Sequence, residues 1–229
     1  MLSPKDILYE DNHLIIINKK TSQIVQGDET GDKPLSDMVK EYIKKKYKKP
    51  GDVFLGVTHR LDRPVSGAVM FARTSKALTR LNEMLKERSI TKVYWAIVKQ
   101  RPPIEEGKLV HYLRKDTEKK RSWASDHPTK EGKRAELDYM LINQSDHYSL
   151  LEIRLHTGRH HQIRAQLAKI GSPIKGDVKY GYDRANTDRS IHLHARMLEF
   201  IHPVSKEIIQ VMAPPPDETL WNYFYALIG

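Results

Sequence analysis

The chain contains no cysteine. Disulfides, cysteine-ligated zinc and thiol nucleophiles are therefore excluded together, and any chemistry falls to carboxylates, histidine, lysine, tyrosine or hydroxyls. No apolar run approaches the ~20 residues of a membrane-spanning helix, and the opening residues Met1-Leu2-Ser3-Pro4-Lys5-Asp6 lack the apolar core of a secretory signal. A cytoplasmic protein with no membrane partner is expected. Phosphate-loop and dinucleotide signatures are missing, since no Gly-x-Gly-x-x-Gly or Gly-x-x-x-x-Gly-Lys run follows a strand-like stretch, and no Gly-x-Ser-x-Gly elbow supports a hydrolase triad. Linkers, internal repeats and low-complexity segments are also missing, so residues 1–229 read as a single domain, expected to be a monomer.

What the chain has in excess is positive charge. Its 39 Lys and Arg against 29 Asp and Glu give a net charge of +10, and 39% apolar residues suffice for a globular core. Such a balance points to a polyanionic partner, nucleic acid first and an anionic membrane surface second. The densest run, Lys44-Lys45-Lys46-Tyr47-Lys48-Lys49, reads equally as a solvated helix end or as a contact to phosphates.

Periodicity predicts strands at Ile7–Glu10 and Leu14–Asn18 around the turn Asp11-Asn12-His13, and an amphipathic helix from Pro34 to Lys46 on the stripe Leu35, Met38, Val39, Tyr42 and Ile43. A strand-like run, Val53 to Thr58, precedes a bend; Ala68 to Ala72 is a buried strand, and Thr74 or Ser75 caps a helix carrying Leu78, Leu81 and Leu85. Lys92 to Lys99 alternates, with Tyr94 on the face opposite Trp95. Leu109 to Leu113 reads as a strand, the basic segment Lys115 to Lys133 as a hairpin or loop, and Ala135–Leu141 with Ser149–Leu155 as a β-hairpin. A helix runs from Arg159 to Ile170 with Gly171 as its stop. A last hairpin spans Ile191–Phe200 and Ile208–Met212, and Leu220, Phe224, Leu227 and Ile228 mark a closing helix. Hairpins with single helices between them predict an α+β fold, a mixed, largely antiparallel sheet with packed helices.

Histidine is frequent, with His160-His161 adjacent and His192 and His194 on one strand face. No His-Glu-x-x-His helix and no carboxylate pair at ligand spacing accompanies them, so no metal is expected.

The candidate carboxylate lies in His59-Arg60-Leu61-Asp62-Arg63-Pro64-Val65-Ser66-Gly67, where Pro64 and Gly67 are read as breaking the ladder and placing Asp62 on a bend beside a cleft. Alone, an Asp between arginines is a solvated ion pair. Its company changes that. The order of His59-Arg60-Leu61-Asp62, Lys92-Val93-Tyr94 and Thr157-Gly158-Arg159-His160-His161-Gln162-Ile163-Arg164 resembles the RluA-type family of RNA pseudouridine synthases, and the resemblance runs from Ile7 to Pro214-Pro215-Pro216.

The resemblance implies a cofactor-free isomerase that converts uridine to pseudouridine in ribosomal or transfer RNA, in the pseudouridine synthase catalytic fold, here without the extra N-terminal RNA-binding domain of many relatives. It makes Asp62 the catalytic group, with nucleophile and base both open as its role. Tyr94 stacks on the flipped base, Arg164 pairs with the catalytic carboxylate, Ile163 lines the pocket, and Arg60 contacts RNA where the nucleotide leaves its stack. Departures from the family pattern are Lys20-Thr21-Ser22 where Pro-x-Gly usually follows Asn18-Lys19, Val65 for a frequent Thr, and His160 for a more usual Thr. Two other readings compete: an RNA-binding protein or chaperone that keeps the fold without turnover, and a histidine-based metal nuclease.

Overall fold

The polar turn at Asp11 shows how short-range chemistry starts the sheet: its Oδ1 accepts from the backbone N–H groups of His13 and Leu14, both at 2.7 Å, and turns the chain between two strands. The structure, a computed structural model, describes residues 2–228. In chain order the first elements are β1 (Ile7–Glu10), β2 (Leu14–Lys19), α1 (Leu35–Lys46), β3 (Gly56–Val57), β4 (Ser66–Ala72) and α2 (Ser75–Glu87). Then come β5 (Thr91–Val98), β6 (Glu106–Asp116), β7 (Arg121–Ser125), β8 (Lys133–Gln144), β9 (Ser149–Leu155) and α3 (Gln162–Lys169). The chain closes with β10 (Leu193–Ile201), β11 (Ile208–Met212) and α4 (Thr219–Ile228). Among the described residues no helix is long and apolar enough to cross a membrane.

Contacts divide the chain into two units, Met1–Ile90 with Ala195–Pro214, and Thr91–His194 with Pro215–Gly229. In the first, β2 pairs antiparallel with β1 and β4, β3 with β4, and β11 with β10. Leu14, Ile15, Ile16 and Ile17 are fully buried, which at ~1.5–3 kcal/mol per side chain makes this one strand worth on the order of 10 kcal/mol of burial. Alternate residues Leu14 and Ile16 join Ala68, Met70, Ala77 and Leu81 in one core. α2 starts where Thr74 Oγ1 accepts from Ala77 N at 3.2 Å.

The expected strand from Val53 to Thr58 shrinks to Gly56–Val57. At its far end the Thr58 Oγ1, not the backbone, donates to Met70 O at 2.6 Å, so the ladder ends at Val57. Gly67 does not break the ladder as expected but pairs with Lys19 inside β4. Its role is close approach, because at φ +114° a Cβ would stand 2.3 Å from Ala195 O.

In the second unit β5, β9, β8, β6 and β7 pair successively, all antiparallel. The segment read as a hairpin or loop is a hairpin, and the fold is α+β with antiparallel pairing throughout these registers. α4 buries Trp221 and Phe224, while Leu227 and Ile228 stay 52% and 41% exposed, against the expected stripe. Seating Trp221 on the rings of His192 and His194, at 5.5 and 5.9 Å, sets that rotation. His192 also meets Glu218 at 3.1 Å and Asn186 at 3.1 Å, and burial pushes its pKa down. Among the described residues no group of three or more His, Asp or Glu is arranged to hold a metal ion.

Candidate active site

Asp62 sits in a turn whose backbone closes on itself, Val65 N donating to Asp62 O at 3.0 Å. Three side chains pin that turn to the sheet. His59 Nε2 accepts from Met70 N at 3.2 Å and Thr58 holds Met70 O on its other side. Beneath lies Lys19, fully buried at the end of β2, whose Nζ donates to the carbonyls of Lys20 at 2.9 Å, Gln23 at 2.8 Å and Arg63 at 3.2 Å. One ammonium thus ties the loop after β2 to the turn that carries Asp62. Burial pushes the Lys19 pKa down to about 7, the Asp62 carboxylate opposing the fall. Leu61 and Val65, 8% and 2% exposed, anchor the turn on either side.

The two arginines beside Asp62 differ. Arg63 reaches away to Asp32 at 2.7 Å and Thr30 Oγ1 at 2.8 Å, so the neighbour that reads as an ion pair in the sequence is committed elsewhere. Arg60 is exposed at the surface.

In the second unit, Thr157 and Gln162 fix the start of α3 against β8. Thr157 Oγ1 accepts from Glu136 N at 2.8 Å and donates to Gln162 Oε1 at 2.7 Å; Gln162 Nε2 donates to Glu136 O at 3.1 Å. His161 adopts a left-handed φ of 52° and starts the helix, which presents Ile163 and Arg164, each 5% exposed. Arg164 is held by a partner absent from the sequence reading: its Nε and Nη2 donate to Asp177 at 2.7 and 2.8 Å, and Asp177 is 1% exposed. The bidentate fork fixes the guanidinium plane. The Tyr180 ring centre lies 5.0 Å from the Arg164 Cζ, and its hydroxyl meets His161 Nδ1 at 3.0 Å. Tyr94 is 8% exposed on β5, opposite Ile153, and Trp95 on the other face packs with Trp221 and Phe224.

Lys19, Asp177 and Tyr180 were not readable as site residues. The only trace of Asp177 in the sequence is the glycine before it, Gly176, which the structure places at φ +85° in a turn past the helix stop. Lys19 was visible only as the second residue of a family motif.

A family model described as RNA pseudouridylate synthase matches residues 13–169. An uncharacterized RNA pseudouridine synthase of Synechocystis sp. is 35% identical over 217 residues, 93% of this chain and 66% of its own length. Ribosomal large subunit pseudouridine synthase C of Buchnera aphidicola is 34% identical over 97% of this chain and 71% of its length; synthase D of Xylella fastidiosa is 34% identical over 94% and 67%. The chain thus spans about two thirds of the length of these relatives. The fold matches that of human RNA Pseudouridylate Synthase Domain Containing 4 with a TM-score of 0.80 at 21% identity, over 96% of this chain and 92% of that one. An α+β isomerase fold of the RNA-modifying kind is thereby defined, and the chain belongs to the RluA-type family of RNA pseudouridine synthases.

Proposed function

We propose that the chain isomerises specific uridines to pseudouridine in ribosomal RNA, transfer RNA or both, with Asp62 as the catalytic carboxylate. The observation that carries this reading is the construction around Asp62: a part-exposed carboxylate on a turn pinned by His59, Thr58 and a buried lysine. A solvated surface ion pair needs no such support, whereas a reacting group must be held within about 0.5 Å of its working position.

The reaction breaks N1–C1′, turns the base and joins C5 to C1′; the hydrogen on C5 leaves to water and N1 takes one up, so nothing is oxidised or reduced. No metal or redox group is needed for that balance. Neither carbon is reachable inside a stacked helix, so the uridine must flip out. In this reading Tyr94 stacks on the flipped base, Ile163 lines its pocket, and Arg164 supplies a fixed positive charge that favours the ionised catalytic carboxylate. Arg60 touches the RNA where the nucleotide leaves its stack. The names of the relatives favour ribosomal RNA. Mapping pseudouridines in ribosomal and transfer RNA of cells with and without the chain tests the reading: at least one site must vanish with the chain, and an identical map in both would return it to an RNA-binding protein without turnover.

A further inference from the structure

The hairpin of β6 and β7 presents a basic, aromatic face that the proposed chemistry does not use. Register sets Arg114 opposite Trp123 and Tyr112 opposite Ser125, and alternation puts these four on one side, with Leu113, Ser122 and Ala124 on the other. That second side is anchored. Leu113 and Ala124 pack with Ala135, Ala165 and Tyr180, while Ser122 N donates to Tyr180 Oη at 2.7 Å and Ser122 Oγ to His160 O at 2.7 Å.

On the open side Trp123 is 43% exposed, whereas Trp95 and Trp221 are 4% and 3% exposed. The Arg121 guanidinium lies 3.8 Å from the Trp123 ring centre and 5.2 Å from that of Tyr180, and the indole N–H points to Asp116 at 3.4 Å. One face of the indole is thus backed by a cation and its edge is fixed. Beside it runs a groove of about 480 Å³, lined by Tyr112, Arg114, Trp123, Ser125, Thr129 and Lys130. Glu131 lines it too and stands 3.8 Å from Arg114, a carboxylate that an incoming phosphate would have to displace from that guanidinium. Residues 112–133 carry seven Lys and Arg against four Asp and Glu.

A held aromatic plane beside cations on a rigid hairpin is the chemistry of single-stranded nucleic-acid binding, in which the base stacks and the phosphate is neutralised. We propose that this groove binds one unpaired nucleotide of the RNA, its base on the open face of Trp123 and its phosphate at Arg114 and Lys130. The proposal rests on RNA being the substrate. Because every base has a stacking face, the grip tolerates sequence; it adds affinity and leaves the choice of uridine to other parts. Tyr180, which hydrogen-bonds the hairpin and also underlies Arg164, joins this groove and the start of α3 into one support.

The indole is its own reporter, since the other two tryptophans are buried. Titrating decauridylate into the full chain should quench the exposed tryptophan emission saturably, while inorganic polyphosphate of matched charge should leave it unquenched. Trp123→Ala should weaken decauridylate binding by about 5- to 150-fold, the stacking range for one base, and Trp123→Phe should recover most of it. Arg114→Ala should flatten the slope of log affinity against log salt by about 0.7. Unchanged affinity in Trp123→Ala, or equal quenching by polyphosphate, overturns the proposal. Turnover separates it from the isomerase reading. A raised KM with kcat retained in Trp123→Ala supports the site; a wild type that never turns over yet is quenched by decauridylate sinks the isomerase reading and keeps the nucleotide site.

Discussion

Replacing Lys19 by Met keeps the length of the buried side chain and removes its charge and its three donors. The ammonium costs free energy to bury: its pKa falls from 10.5 to about 7. A base whose folded pKa lies below its unfolded value binds fewer protons folded than unfolded between those values, so its contribution to stability rises with pH from about 7 to 10.5. Below about 7 both states are protonated and the penalty is complete. Between pH 6 and pH 9 roughly two protonation units are recovered, which is about 3 kcal/mol in favour of the native wild type. Lys19→Met has no such term, while it leaves the carbonyls of Lys20, Gln23 and Arg63 without this donor at ~1–3 kcal/mol each where they are buried. Urea unfolding of both proteins at pH 6 and pH 9 isolates the effect, because titrating groups that do not feel the Lys19 charge cancel in the difference. The deficit of Lys19→Met should be about 3 kcal/mol larger at pH 9 than at pH 6. A deficit independent of pH would refute the reasoning and make Lys19 an ordinary solvated amine.

Other perturbations test separate parts of the structure. Asp177→Ala breaks the buried, bidentate pair with Arg164 and should cost ~3–5 kcal/mol in urea unfolding; a loss below about 1 kcal/mol would mean the fork carries little. Gly67→Ala drives a Cβ into the Ala195 backbone at a positive φ, so soluble expression or thermal stability should collapse, and a melting temperature like that of wild type would contradict the packing. Lys45→Ala with Lys48→Ala removes two exposed charges next to Lys46, which is engaged by Glu10. If the run meets phosphates, RNA affinity should fall and its salt slope flatten by roughly 0.7–0.9 per lysine with kcat unchanged; an unaltered slope makes the run a solvated helix end.

Much of the frame was legible because it rests on local patterns. The stripe of α1, the Thr74 cap and the alternation of β5 each need only neighbouring residues, and the structure has them. What failed depended on distant partners. Thr58 ends β3 by reaching Met70 with its hydroxyl, Gly67 stays in the ladder because Ala195 crosses it, and α4 turns Trp221 inward to meet two histidines. Periodicity carries no information about such contacts. The candidate site divides the same way. Asp62, Tyr94 and Arg164 stand in motifs and could be named, whereas Asp177 and the three-carbonyl seat of Lys19 exist only once the chain is folded.

The central claim is that Asp62 performs the isomerisation, and uridine tritiated at C5 tests it most directly. Joining C5 to C1′ expels that hydrogen, so tritium appearing in water counts turnovers. Asp62→Asn keeps the size and hydrogen bonding of the side chain and removes its charge, so neither a nucleophilic nor a basic role survives. With ribosomal RNA lacking the modification as substrate, wild type should release one tritium per pseudouridine formed, and Asp62→Asn should release none while binding the RNA with similar affinity. Equal release by the two proteins would contradict the account.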